Sequence, residues 1–452
     1  MSETEQAPDS KLGVTQDGIW ALAWPTMAAM GAGTVVRFTD FAMVGSLGPE
    51  ALAGVGLGGQ FYWLLESVVA VAPGGLAAIL ARAVGAGDGA AADASLRQAQ
   101  ILGVLLALAS SLLLFPFTTQ AISIYGVERE VVGLGADYLW WRIWGTIPLS
   151  IVMVFGAGLR AAGDVKTPLW IMLFSSAGNV FFNWVLIYGN LGAPALGVVG
   201  AAIASNLALL LMMLPFIGLW AGHRLVLKPS GGGWRPDLDL FRRLMRIGTP
   251  AGLESGFFQM GLLLFQRIMS AYGTNVIAAY NIGTTVLSCS FIPGVGFSMA
   301  AATLVGQHLG AEEPERARQA GWRGTALAVA AMSVFGLVLV LCSGPLGRLF
   351  TEDPEVLELT RTIILILAVA HPFMAVEFAL GGALRGAGDT LFPMLTVFAG
   401  LMVVRLGVAS LLVTYFDASI EMVWSVLILD YVLKTALFVG RFRGGSWQRR
   451  SV

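Results

Sequence analysis

Hydrophobic residues in this chain neither alternate with polar ones nor mark one face of short helices. They run on, in twelve stretches that each approach the ~20 residues a helix needs to cross a hydrocarbon layer. The stretches predict helices near 18–45, 54–83, 97–120, 131–158, 167–189, 196–222, 243–271, 276–308, 318–345, 359–384, 391–415 and 421–441. Short polar or glycine-bearing segments separate them. The fold class expected is all-α integral membrane, since a helix satisfies its own backbone inside lipid.

Composition sharpens this. Of 452 residues, 56% are hydrophobic and 12% charged, against about a quarter charged in soluble domains. The 57 glycines suit membrane helices, which associate through small residues. Cys289 and Cys342 lie inside apolar runs and give neither a disulfide framework nor metal-ligand spacing. The opening MSETEQAPDSKLGVTQDG is polar and acidic, so a cleavable signal peptide is not expected.

Charge placement gives orientation. With the N-terminus inside, the inner segments hold nineteen of the 27 Lys and Arg, among them Lys11, Arg82, Arg97, Arg235, Arg242 and Arg443, whereas the outer segments hold Arg129, Arg348 and Arg361. The asymmetry predicts both termini in the cytoplasm and an even helix count.

An internal repeat predicts the architecture. One ungapped shift of 225 positions pairs Pro25 with Pro250, Gly31 with Gly256, Gly48 with Gly273 and Gly85 with Gly310. It also lays GAGLRAAGDVKTP over GGALRGAGDTLFP. Six helices per unit put both copies in the same orientation, related by a pseudo-two-fold axis along the membrane normal with a cleft between them. The expected division is a cytoplasmic tail at 1–17, an N-lobe at 18–222, a cytoplasmic linker at 223–242, a C-lobe at 243–441 and a tail at 442–452. Three glycines suggest a flexible start to the linker, and FRRLMR reads as a basic amphipathic helix on the inner membrane face.

At these residues the sequence resembles the multidrug and toxic compound extrusion (MATE) family. The resemblance is carried by WPTMAAM with TDFAMVGSLGPEALAGVGLG, then GLRAAGDVKTP, NVFFNWVLIYGNLGAPALGVVGAAIAS, GTPAGLES with YGTNVIAAYNIG, LVGQHLGA and ALRGAGDTLFP. It implies two six-helix lobes, alternating access, and export of organic cations in exchange for protons or sodium ions. Asp40 and Asn179 match acidic and polar positions of the family, whereas Asn183 stands where one prokaryotic branch has a second carboxylate. Glu254 and Glu377 lie on the two helices that carry C-lobe acids in the family, about one turn from those positions, so a sodium site is not carried over.

An uncompensated charge at mid-membrane costs at least ~2.5 kcal/mol, which makes each buried ionisable group a candidate. Asp40 is the expected coupling acid, with Arg37 one turn earlier as a possible static partner. Asn179 and Asn183 share a helix face and can offer amide oxygens; Ser205 adds a hydroxyl and Glu66 a second acid. Glu254, Glu377, Gln259, Tyr280, Tyr62 and Met260 are the expected substrate-binding residues, through charge, cation–π and adaptable sulfur contacts. Alternatives for the acids are ion pairs with buried donors such as Arg267. Arg405 and the Asp430/Lys434 pair read as structural, and Arg160/Asp164 with Arg385/Asp389 as caps that fix inner loops.

The expected activity is secondary export of drugs or organic cations from the inner (plasma) membrane, without a cofactor beyond the coupling ion, H+ or Na+. A monomer among membrane lipids, with no nucleic-acid partner, is expected. No GxxxxGK[ST] segment is present for ATP hydrolysis, and no HExxH or GxSxG for an intramembrane enzyme. A flippase for lipid-linked sugars or precursors is the alternative; it should show a strongly cationic cleft. A channel fits a two-fold repeat around one cleft less well than alternating access.

Overall fold

The computed structural model describes residues 13–450 and Val452; Lys11 and the expected tail at 1–12 lie outside the described residues. All the regular structure among the described residues is helical. In chain order the first part comprises α1 (Ile19–Gly45), α2 (Pro49–Val69), α3 (Val71–Gly85), α4 (Gly89–Leu114), α5 (Thr118–Ser123), α6 (Arg129–Ile143), α7 (Thr146–Ala161), α8 (Lys166–Tyr188) and α9 (Gly197–Ala221). The second comprises α10 (Leu238–Met269), α11 (Thr274–Gly310), α12 (Pro314–Arg348), α13 (Pro354–Gly386), α14 (Leu391–Phe398), α15 (Ala409–Phe416) and α16 (Ile420–Arg443). A π-helical stretch, Ala399–Val408, joins α14 to α15.

Ten helices or continuous helix pairs among the described residues are long and apolar enough to cross a membrane, and α6 with α7, bent by 53°, add an eleventh. Every one coincides with an expected stretch. The remaining expected stretch is α10, helical throughout but loaded with Asp239, Arg242, Arg243, Arg246, Glu254 and Arg267. The chain is a multi-pass membrane protein.

Two features differ from the expected linker. The basic FRRLMR stretch is not a separate surface helix, because α10 begins at Leu238 and runs through it without a break. The segment before it is pinned rather than loose. Asp93 on α4 accepts from the backbone N–H and hydroxyl of Ser230 at 2.8 and 2.7 Å, and Gln98 donates to the Arg235 carbonyl at 2.8 Å. Arg97 donates to the Gly232 carbonyl, and its guanidinium fills the space a side chain at 232 would need. Leu225 and Leu227 are buried against the α3, α4 and α7 core.

Two large cores organise the molecule. One gathers Leu76, Leu80, Leu96, Val154, Leu159, Phe216 and their neighbours. The other gathers Phe297, Met332, Met374, Leu380, Phe438, Phe442 and Trp447, and it takes in Ile19, Leu22 and Ala23 of α1. Farther along α1, Val44 packs with Ala51, Val55, Ile187 and Val198. So α1 is anchored in the second half of the molecule at its start and in the first half at its end.

The AAGD segment of the first copy and the GAGD segment of the second show why glycine recurs at the repeat offset. Gly163 and Gly388 adopt φ of +87° and +85°, which an L side chain accommodates poorly. Each ends a helix and turns the chain into the next.

Candidate ion and cation site

The site in the first half starts from Asp40, half-buried near the far end of α1. The Asn183 amide donates to its Oδ1 at 2.5 Å and lies 3.1 Å from the Asn179 amide oxygen. Both asparagines are buried, four residues apart on one face of α8, as helix periodicity requires. The Asn183 amide oxygen is buried without a partner. A carboxylate, a second acceptor and this unpartnered oxygen therefore converge in one place.

Arg37 is not the static partner of Asp40. It is exposed and reaches the Thr34 hydroxyl at 3.5 Å, and among the described residues no ion pair within 4.0 Å joins it to an acid. Glu66, half-buried on α2, also lacks an ion pair within that distance among the described residues. Ser205 is half-buried on α9, beside Asn206.

A further charged group of this half is Arg142, at the end of α6. Its guanidinium lies 3.8 Å from the Tyr62 ring centroid and donates to the Asn206 amide oxygen at 2.8 Å. Asn206 in turn donates to the Trp141 carbonyl at 2.7 Å. Tyr62, expected to stack on substrate, is 5% exposed and presents its face to Arg142 instead. Sequence reasoning passed over Arg142, Asn206 and Tyr138. An arginine inside an apolar stretch was the available signal, yet nothing in the spacing tied it to Asp40, which is 102 residues away in sequence (142 − 40).

In the second half the acids are matched with cations. Glu254 on α10 accepts from Arg385 on α13 at 2.8 Å, and Arg385 also reaches the Ser298 hydroxyl at 3.1 Å. Glu377 on α13 lies 3.4 Å from Lys434 on α16; Lys434 lies 3.2 Å from Asp430, which pairs with Arg405 at 2.5 Å. The Tyr431 ring is 4.6 Å from the Lys434 ammonium and 5.3 Å from the Arg405 guanidinium. Gly400 makes the cluster possible, because a Cβ there would occupy the space of Asp430 and Lys434. The pairing of Asp430 with Lys434 follows its helical spacing, whereas the partners of Glu254 and Glu377 are not Arg267, which turns to Ser270 at 2.8 Å.

The expected inner caps divide. Asp164 accepts from the Thr167 backbone at 3.0 Å. Asp389 takes Arg441 at 2.7 Å and Arg450 at 3.3 Å rather than Arg385. Of the remaining expected binding residues, Tyr280 is buried against Phe265 and lines a cavity of about 30 Å³ with Arg405 and Trp424. Gln259 is half-buried and Met260 is 54% exposed.

A polytopic helical bundle with such charges buried inside it is the build of a membrane transporter. The MatE family model matches residues 25–185 and 250–411, and the chain belongs to the MATE family. It is 31% identical over 440 residues to the probable multidrug resistance protein NorM of Thermotoga maritima, covering 95% of this chain and 93% of that one. The probable multidrug resistance protein NorM of Mesorhizobium japonicum is 29% identical over 451 residues, with 95% and 93% covered. Among solved structures, a MOP superfamily transporter from Pyrococcus furiosus superposes with a TM-score of 0.89 at 21% identity over 96% of both chains. An outward-facing multidrug resistance MATE family transporter superposes with a TM-score of 0.88, again at 21% identity over 96% of both. The family is one of multidrug efflux transporters.

Proposed function

We propose that this protein exports organic cations across the inner membrane in exchange for protons or sodium ions, with Asp40 as the acid that the two compete for. Twelve spans form two lobes of six, the termini face the cytoplasm, and a single chain rocks between inward- and outward-open forms. The observation that carries this reading is the contrast between the acids. Asp40 is held by the neutral amide of Asn183, which leaves its charge available, whereas Glu254, Glu377 and Asp430 face cations at 3.4 Å or less.

An exchangeable carboxylate can bind a proton, a sodium ion or a cationic solute, and occupancy by one weakens the others. The helix that bears Asp40 is anchored in both halves of the molecule, so a change in its charge is felt where the halves meet. Energy then comes from the ion gradient. A flippase for lipid-linked diphosphates gains no support from a site in which Asp40 is held by a neutral amide and Asp40 and Glu66 stand without an ion pair among the described residues.

Inverted membrane vesicles, whose outer face is the cytoplasmic one, given external ethidium under an imposed proton or sodium gradient test this directly through uptake of the dye. The wild type should transport under one of the gradients, and Asp40→Asn should lose at least nine-tenths of that rate, on the order of the 1–2 kcal/mol a single charge contributes. Equal transport by the variant under both gradients removes Asp40 from the mechanism.

A further inference from the structure

The basic turns of FRRLMR belong to α10, and export as described does not use them. Arg242, Arg246, Pro250 and Leu253 follow at helical spacing and share one face of α10. Leu391 and Met394, at the start of α14, stand opposite, and an open groove of about 450 Å³ lies between the two helices.

The groove is graded along its length. Its first turns carry two guanidinium groups. Arg246 is exposed and has no ion pair within 4.0 Å among the described residues. Arg242 lies 3.5 Å from Asp239, but with side chains 82% and 90% exposed the pair is screened by solvent and leaves the guanidinium available. Asp389, two residues before Leu391, is buried and already takes Arg441 and Arg450. Arg243, the third arginine of these turns, donates to the Val452 carbonyl. Next come the Thr249 hydroxyl and the Arg246 carbonyl, which lacks its usual helical donor because Pro250 has no N–H. Beyond them the walls are Leu253 and Leu391, 48% and 47% exposed, with Met394 buried beside them.

The internal repeat separates this feature from the shared architecture. The shift of 225 positions matches Pro250 with Pro25, yet it sets Asp17 and Ala21 against Arg242 and Arg246. The cation pair is peculiar to the second copy, so the packing of the repeated unit does not require it.

We propose that this groove binds an anionic phospholipid, its phosphate on Arg242 and Arg246 and an acyl chain along Leu253 and Leu391. Guanidinium groups suit phosphate oxygens in charge and geometry. Under the orientation given above these turns meet the inner leaflet, where anionic lipids concentrate. A free phosphate would use the cationic end alone; the apolar walls commit the groove to a lipid. The site is separate from Asp40 and adds to the export function.

Native mass spectrometry of the purified full chain in detergent, with dioleoyl phosphatidylglycerol or dioleoyl phosphatidylcholine added, reads the affinity of the first bound lipid. The wild type should bind phosphatidylglycerol about tenfold more tightly than phosphatidylcholine. Arg242→Gln/Arg246→Gln should weaken phosphatidylglycerol about tenfold and leave phosphatidylcholine unchanged, as loss of two interfacial charges implies. Leu253→Asn/Leu391→Asn should weaken both lipids about threefold. Arg224→Gln/Lys228→Gln removes the same charge from exposed linker positions and should bind as the wild type does. Glycerol phosphate at about a hundredfold excess should leave phosphatidylglycerol in place. Wild-type affinity for phosphatidylglycerol in the arginine variant, equal weakening in the linker variant, or displacement by glycerol phosphate overturns the proposal.

Discussion

The backbone of Gln307 passes so close to Gly85 that no Cβ could fit between them, and Gly310 meets the backbone of Arg82 in the same way. Gly85 and Gly310 are 225 positions apart, as are Arg82 and Gln307, so each copy of the repeat supplies a glycine and receives one. Hydrogen bonds surround the crossing: Arg82 donates to the Ala387 carbonyl at 2.9 Å, Gln307 to the Ala161 carbonyl at 2.8 Å and Thr303 to the Arg160 carbonyl at 3.0 Å. Thr15 donates its backbone N–H to Gln307 at 2.9 Å. Under the proposed orientation this crossing seals the cytoplasmic side.

Transport should therefore require the crossing to part. A Cβ at Gly306 would lie 2.6 Å from the Ala81 Cβ, inside the roughly 3.5–4.5 Å of a disulfide, so a parting of the helices by about 1 Å brings this pair to bonding distance across the seal. In a background with Cys289 and Cys342 replaced by Ala, oxidised Ala81→Cys/Gly306→Cys should transport ethidium at less than about a tenth of the reduced rate, and dithiothreitol should restore it. Undiminished transport by fully cross-linked protein would mean that the crossing never opens.

The cluster of Arg405, Asp430, Lys434 and Glu377 should act chiefly on stability. Asp430→Asn leaves two buried cations short of a partner and should cost about 3–5 kcal/mol in denaturant unfolding. Glu377→Gln should cost less, since Lys434 keeps Asp430 at 3.2 Å. A transition midpoint for Asp430→Asn equal to that of the wild type would show that the cluster is not structural.

Asn183→Leu removes the amide donor from Asp40 without altering charge. Hydrogen bonds to charged groups contribute roughly 1.5–3 kcal/mol, so concentration dependence of transport on the driving ion should shift by tenfold or more. An unshifted dependence would leave Asn183 a packing residue.

Much of the fold was legible in the sequence because lipid imposes a length rule. Each expected stretch from 18–45 to 421–441 holds a helix. Local chemistry moved the boundaries: α2 and α3 meet at Ala70, Phe115–Phe117 form a 3₁₀ turn, and α6 breaks from α7 at Gly145. FRRLMR was misread because its basic amphipathic pattern suits a surface helix as well as the entry turns of a long one. The flexible reading of the linker failed because Asp93, Arg97 and Gln98, which hold it, are more than 130 residues away in sequence.

For the site, helical spacing put Asn179 and Asn183 on one face, and the cost of a buried charge singled out Asp40. Pairings between helices were not legible. Glu254 with Arg385, and Glu377 with Lys434, are contacts across 131 and 57 positions that no periodicity encodes. The contacts of Arg142 were hidden for the same reason, since they join it to Tyr62 on α2 and Asn206 on α9.

Displacement of bound ethidium from purified protein, titrated separately with protons and with sodium ions, tests the central claim most directly. Competition at Asp40 predicts that at least one of the two ions displaces the dye from the wild type, and that neither does so from Asp40→Asn at concentrations up to tenfold higher. Equal displacement from both proteins would contradict it.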